Sequence, residues 1–248
     1  MGIRVENVES LVGVWVRRSI VWPDGREDRT TRVWWLQGKR YFADIRIPAG
    51  RLCFAGVRSL EQCELAQSKW LGTQEGFAGE LVAADGAWMW RREIDFRLPT
   101  GKRDIGRLEF VDADRRVMIE DGVDEAYQEV WERIDDASST NGEALVMGLR
   151  AKGELGLMVA VGEHFILAID RRKDEGAAND PLDMEISHGR RNGALAEWVV
   201  EDSTFPWREG MRLFDVGQIL VDWEERKMRE RRTWAIVEPG VGKLDWIY

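Results

Sequence analysis

The sequence predicts an all-β protein with a minor helix, built as two antiparallel β-barrel domains in series. Three observations lead there. Short runs of period-two alternation recur at roughly 8–12-residue spacing with turn residues between them, the rhythm of sandwiches and barrels. Aromatic and β-branched residues dominate those runs, and thirteen Trp in 248 residues supply a thick apolar filling whose indole N–H groups need partners. Finally, Asp135 to Glu143 is small, polar and aperiodic. It divides the chain into residues 1–136, a linker at 137–143, and residues 144–248.

In order, Val14 to Trp22 alternates, with Val14, Val16, Ile20 and Trp22 on one face and Trp15, Arg17 and Ser19 on the other. Pro23-Asp24-Gly25 turns the chain, since Pro presets φ and Gly takes the positive-φ position. Thr30 to Leu36 returns, and Gln37-Gly38-Lys39 leads into Tyr41 to Ile47, which Pro48-Ala49-Gly50 stops. Ser59 with Gln62 resembles a capping box, so a short helix is expected across Ser59 to Gln67. Strands resume at Phe77 to Val82, Ala87 to Leu98, Arg107 to Val111, Val117 to Glu120 and Tyr127 to Ile134, with Asp85-Gly86 among the turns.

Past the linker, strands are expected at Leu145 to Leu149, Leu157 to Val161, His164 to Asp170, Met184 to Ser187 and Ala194 to Val200. Others follow at Gln218 to Trp223, Thr233 to Val237 and Leu244 to Tyr248. His188, in Ser187-His188-Gly189, reads as a loop residue. Gly38 to Phe42 echoes Gly162 to Phe165, and Arg92 to Asp95 echoes Met184 to Ser187; internal duplication and chance both account for such short matches.

A net charge of −9 opposes general attraction to nucleic acid or to an anionic membrane surface. The charge-rich run Glu224 to Arg232 reads as a solvated element with internal ion pairs. No apolar run approaches the roughly 20 residues of a membrane span, and Met1 to Asn7 has no signal-peptide pattern, so a cytoplasmic location is expected. Cys53 and Cys63 fit reduced thiols there, a disulfide being the alternative. Two Cys and two His without metal-ligand spacing, and no phosphate loop, dinucleotide fingerprint or nucleophile elbow, leave no metal and no cofactor expected.

Gly13-Val14-Trp15 at the first strand resembles the Gly-x-Trp signature of lipocalins and other calycins. A wider set of landmarks is similar to the HRI family, a small group of two-domain, lipocalin-like β-barrel proteins from fungi and bacteria. They are Arg17 to Trp22, Thr30 to Val33, Tyr41 to Ile47, Phe54-Ala55-Gly56 and Tyr127 to Trp131, spanning residues 13 to 134. The resemblance implies a barrel-like first domain followed by a related second one. It implies no activity, since fold does not assign function.

Candidate chemistry sits where charges interrupt aromatic strands. Alternation makes Asp44 and Arg46 co-facial with Phe42; facing inward they form a desolvated pair in a pocket, facing outward a surface ion pair. In Ala87 to Leu98, Trp88, Trp90, Arg92, Ile94, Phe96 and Leu98 share one face, while Arg91, Glu93, Asp95 and Arg97 share the other. Glu93 and Asp95 would then supply an acid and a base to a polar barrel interior, with Glu75 and His164 as accessories. Trp34, Phe42, Gln74 and Trp90 are the expected ligand contacts.

The expected function is binding of a small organic molecule in an aromatic pocket, with possible cofactor-independent acid–base chemistry of hydratase, lyase, isomerase or cyclase type. A non-catalytic carrier or sensor and a protein-interaction module are the alternatives. Oligomeric state is open.

Overall fold

The computed structural model describes residues 2–97, 100–134, 144–151, 154–170, 181–192, 197–214, 220–222, 227–229 and 233–238. The expected linker at 137–143 and the expected strand Leu244 to Tyr248 lie outside them.

Ten strands build the first half: β1 (Ile3–Arg4), β2 (Gly13–Val21), β3 (Glu27–Asp28), β4 (Arg32–Gln37), β5 (Tyr41–Ile47), β6 (Glu75–Ala84), β7 (Ala87–Asp95), β8 (Ile105–Phe110), β9 (Val117–Gly122) and β10 (Gln128–Arg133). All pairings are antiparallel. Eight of the strands, in the order β8-β7-β6-β5-β4-β2-β10-β9 and back to β8, close a barrel, while β1 and β3 are additions on β8 and β2. Closure removes the free edges that an open aromatic sheet would present. Asp85-Gly86 forms the two-residue hairpin loop between β6 and β7, both residues at positive φ (47° and 76°). Instead of one helix across Ser59 to Gln67 there is a single 3₁₀ turn, Leu60–Gln62, and a helix, α1 (Leu65–Leu71). Here Gln67 Oε1 accepts the Glu64 N–H at 2.8 Å; the capping glutamine is one turn later than the Ser59–Gln62 spacing suggests.

Among the described residues, eight strands follow: β11 (Ala144–Ala151), β12 (Glu154–Val161), β13 (His164–Asp170), β14 (Met184–Asn192), β15 (Glu197–Ser203), β16 (Leu220–Asp222), β17 (Lys227–Arg229) and β18 (Thr233–Glu238). They form a second antiparallel sheet in the order β15-β14-β13-β12-β11-β18-β17-β16. His188 lies within β14, paired with Ile166 and Asp202, rather than in a loop. Strand pairing satisfies its backbone where local sequence suggested a turn.

Three apolar layers result. Inside the barrel, Trp15, Trp35, Phe42, Phe77, Trp90, Phe110 and Trp131 pack together. Outward-facing Leu36, Ala43, Ile45, Ala78 and Ile94 pack against Val146, Val159, Ile166, Ala168 and Ile186 of the second sheet. The second sheet's other face carries its own cluster around Phe165, Trp198 and Trp234. Part of the barrel wall is thus buried on both sides, which explains near-continuous burial along β5 and β6.

Among the described residues of the barrel, two β-bulges interrupt simple alternation. On β7, Gly79 pairs with Arg92 while Ala78 pairs with Ile94, so Glu93 is the extra residue. Trp88 and Trp90 therefore belong to the barrel core, whereas Ile94 and Phe96 join the layer against the second sheet. The single apolar face expected for Ala87 to Leu98 is split, since one inserted residue inverts every side chain beyond it. Gly79 permits this, because a Cβ there would lie 2.1 Å from the Arg91 carbonyl oxygen. On β2, Trp131 pairs with Arg17 and Val130 with Ser19, leaving Arg18 as the extra residue. Trp15 thus sits in the barrel core while Ile20 and Trp22, beyond the bulge, line its cavity, although plain alternation set them on opposite faces. Cys53 and Cys63 are free thiols. No helix among the described residues is long and apolar enough to cross a membrane.

Candidate functional site

On β5, Tyr41, Ala43, Ile45 and Ile47 face the second sheet, so Phe42, Asp44 and Arg46 turn into the barrel. There a cavity of about 340 Å³ is walled by Trp22, Trp35, Phe77, Trp90, Tyr127 and Trp131 and edged by carboxylates. It shares Glu75, Trp90, Arg92, Asp104, Glu125 and Tyr127 with a wider cleft of about 620 Å³ at the barrel mouth. A concave aromatic space with a few convergent polar groups has the general character of a small-molecule site.

Ion pairs organise the interior. Arg46 Nε donates to both oxygens of Asp44, at 2.9 and 3.2 Å, and Arg46 Nη1 reaches Glu129 at 3.4 Å. Glu129 accepts at 2.6 Å from Arg17 Nη1, whose other arm lies 3.5 Å from Asp28. Asp44 and Glu129 are each only 2% exposed, so these are desolvated pairs, held by β5, β10 and β2. Nearer the mouth, Arg92 bridges Asp95 at 2.9 Å and Asp104 at 2.5 Å and lies 3.6 Å over the Phe77 ring.

Glu120 stands apart from this pattern. It is 4% exposed, and its oxygens accept from the Tyr127 hydroxyl at 2.7 Å and the Trp131 indole N–H at 3.0 Å, both neutral donors. Glu129 is its direct cross-strand partner, a like-charge opposition that sheets tolerate poorly. Burial first, and Glu129 second, push the Glu120 carboxyl well above the usual range, which favours its protonated form. Burial likewise raises the Tyr127 phenol, with Glu120 adding to it. Burial lifts Asp44 to about 6, with the Arg46 guanidinium pulling the other way. Two carboxyls in one cavity are therefore both pushed toward their protonated forms, Asp44 to about 6 and Glu120 well above its ordinary range.

The expected site residues distribute unevenly. Asp44, Arg46, Glu75 and Trp90 line the cavity. Asp95 and Glu93 lie in the cleft; Asp95 is engaged by Arg92, and Glu93, displaced by the bulge, is exposed. Phe42 is buried core, edge-on to Phe77 at 5.9 Å, and is not a wall of the cavity. Gln74 is fully buried and donates to the Leu71 and Thr204 carbonyls, tying the barrel to the second sheet. Trp34 and His164 lie on the outer side of the wall.

Glu120, Glu129, Tyr127, Trp131, Arg17 and Trp35 were not among the expected residues. A usable signal was present: Glu120 alternates in phase with Met118, and Glu129 with Trp131, as Asp44 does with Phe42. A lone acid on the apolar phase of a strand marks a group carried into the interior.

Outside the wall, Trp34 stacks on His188 at 4.1 Å, and His188 Nε2 meets His164 Nδ1 at 3.1 Å. Asp202 accepts from the Trp34 indole at 3.1 Å and pairs with Arg32 at 2.9 Å, while His188 Nδ1 lies 3.7 Å away from it. These are the chain's only two histidines, both buried. Burial lowers His188 below its ordinary 6.5, with Asp202 and Glu201 opposing and Arg190 assisting. A buried neutral imidazole contributes fully above pH 6.5; as pH falls below that value, the unfolded chain takes a proton that the folded one resists, and stability is lost. Between pH 7.5 and 5, wild-type melting temperature should therefore fall relative to His188→Gln. Parallel curves for the two proteins would remove the histidine from the account.

A family model described as Protein HRI1 matches residues 13–192. The crystal structure of an uncharacterized protein from Saccharomyces cerevisiae is similar with a TM-score of 0.57 at 11% identity, covering 91% of this chain and 97% of that one. At that identity the likeness speaks for the fold alone. Among curated proteins, none matches the chain.

Proposed function

The chain belongs to the Protein HRI1 family, and from that premise we propose that its barrel binds a small organic molecule and carries out cofactor-independent proton-transfer chemistry on it. The observation that carries the reading is the pair Asp44 and Glu120, both buried and both lining one cavity. Asp44, ionised above about pH 6, is the base. Glu120, hydrogen-bonded to Tyr127, is the proton donor. Arg46 positions Asp44, and the aromatic walls exclude water from the substrate body. Hydration, elimination, isomerisation and cyclisation all need this combination and no cofactor. The same proposal takes residues 1–136 and 144–248 as related lipocalin-like units joined by 137–143, supported by the consecutive antiparallel pairings common to both sheets.

The test is deuterium exchange. Protein incubated with a cellular small-molecule extract in heavy water should label a compound that it also captures, at a rate rising as pH passes about 6. Asp44→Asn should abolish labelling while capture persists. Capture without labelling by the wild type would leave a carrier or sensor in place of an enzyme. Failure of both capture and labelling would end the small-molecule reading.

A further inference from the structure

Among the residues lining the cavity, carboxyls outnumber guanidiniums. Arg17 holds Asp28 and Glu129, Arg46 holds Asp44 and Glu129, and Arg92 holds Asp95 and Asp104. With Glu120 that makes six carboxyls against three guanidiniums. Each arginine is already shared between two acids, so an incoming anion meets no unengaged cation among these three. Glu120 is the acid left over: among the described residues it forms no ion pair, and a carboxylate with one neutral donor on each oxygen retains acceptor capacity.

Two tryptophan rings stand beside Glu120. Trp131 donates to it, and a Cβ placed on Gly106 would lie 2.9 Å from Glu120 Cγ and 3.1 Å from Trp90 Cζ3, so the Trp90 ring and Glu120 converge on one spot. The barrel already seats cations on such faces: the guanidiniums of Arg46 and Arg92 lie 5.0 and 3.6 Å from the Phe77 centroid.

Resting on the cavity-binding reading above, we propose that the ligand is an organic cation, an ammonium or guanidinium head on an apolar body, whose head pairs with Glu120 against Trp90 and Trp131. Its arrival replaces the proton on Glu120 as the compensating charge. The carboxyl O–H bond breaks, the carboxylate stays paired with the cation, and the proton passes to the bound substrate or, for an unreactive ligand, to solvent. A cationic substrate would thereby turn Glu120 into a proton donor only when it is present.

Benzylammonium, benzyl alcohol and benzoate, similar in shape and differing in charge, test this by Trp fluorescence and by calorimetry in two buffers of different ionisation enthalpy. Benzylammonium should bind at least about tenfold more tightly than either of the others, with proton release that the buffer comparison reveals. Glu120→Gln should erase that preference and the proton release. Benzyl alcohol or benzoate binding as tightly as benzylammonium, or benzylammonium binding without proton release, overturns the cation proposal and leaves the cavity reading standing. No binding of any of the three overturns both. Should Glu120→Gln fail to fold, the wild-type ranking and proton count decide the matter alone.

Discussion

Replacing Glu129 with alanine is expected to destabilise the protein by about 3–5 kcal/mol, the usual penalty for stranding a buried charge. Glu129 is 2% exposed and is the carboxylate shared by Arg17 and Arg46. Its removal leaves Arg17 with only the longer contact to Asp28, and Arg46 with Asp44 alone. The same change removes the acid opposite Glu120, so the Glu120 carboxyl should titrate lower than in the wild type. Urea unfolding measures the first effect as a lower midpoint at unchanged slope. A loss under about 1 kcal/mol would mean that the two guanidiniums find solvent or other acids, and that the interior is wetter than its burial implies.

Trp35→Ala should lose a comparable amount, about 3–5 kcal/mol, by a different route. Trp35 is 1% exposed and sits among Trp15, Trp131 and Trp90, with ring centroids at 6.0, 5.4 and 5.8 Å. Its indole N–H donates to Gln37 Oε1 at 3.2 Å, so truncation also strands a buried amide oxygen. Because Trp35 is one wall of the cavity, the lost volume adds to that space instead of being refilled. Trp35→Phe keeps most of the ring packing and should lose well under half as much. Equal losses for Ala and Phe would place the effect in the hydrogen bond rather than in the packing.

Much of the barrel was legible because strand signals are local. Alternation, the Asp85-Gly86 hairpin and the stop at Pro48 need only near neighbours, and the strands appear where those signals stand. Asp44 and Arg46 were legible as a pair for the same reason: period two makes residues i and i+2 co-facial in any strand. Glu93 was misplaced because a bulge is a property of two strands. It depends on Gly79 opposite, which admits the Arg91 carbonyl where a Cβ would clash. A histidine's chemistry is visible in a sequence and its neighbours are not, so the expectation of His164 as a site accessory rests on residue type alone. Its neighbours Trp34 and His188 come from β4 and β14.

The sequence by itself determined an all-β chain, the strands that carry its aromatic residues, and an acid and base on one face of β5. Only the tertiary structure decided that this face looks into the barrel. The second sheet takes Ala43, Ile45 and Ile47 for its own apolar layer and leaves Asp44 and Arg46 the interior. It also decided that Glu120 lines the cavity with Asp44 while Glu93 lies exposed in the cleft. How far a carboxyl is pushed toward its protonated form depends on burial and on the acid opposite it, and for Glu120 both exist only once β9 and β10 pair and the barrel closes.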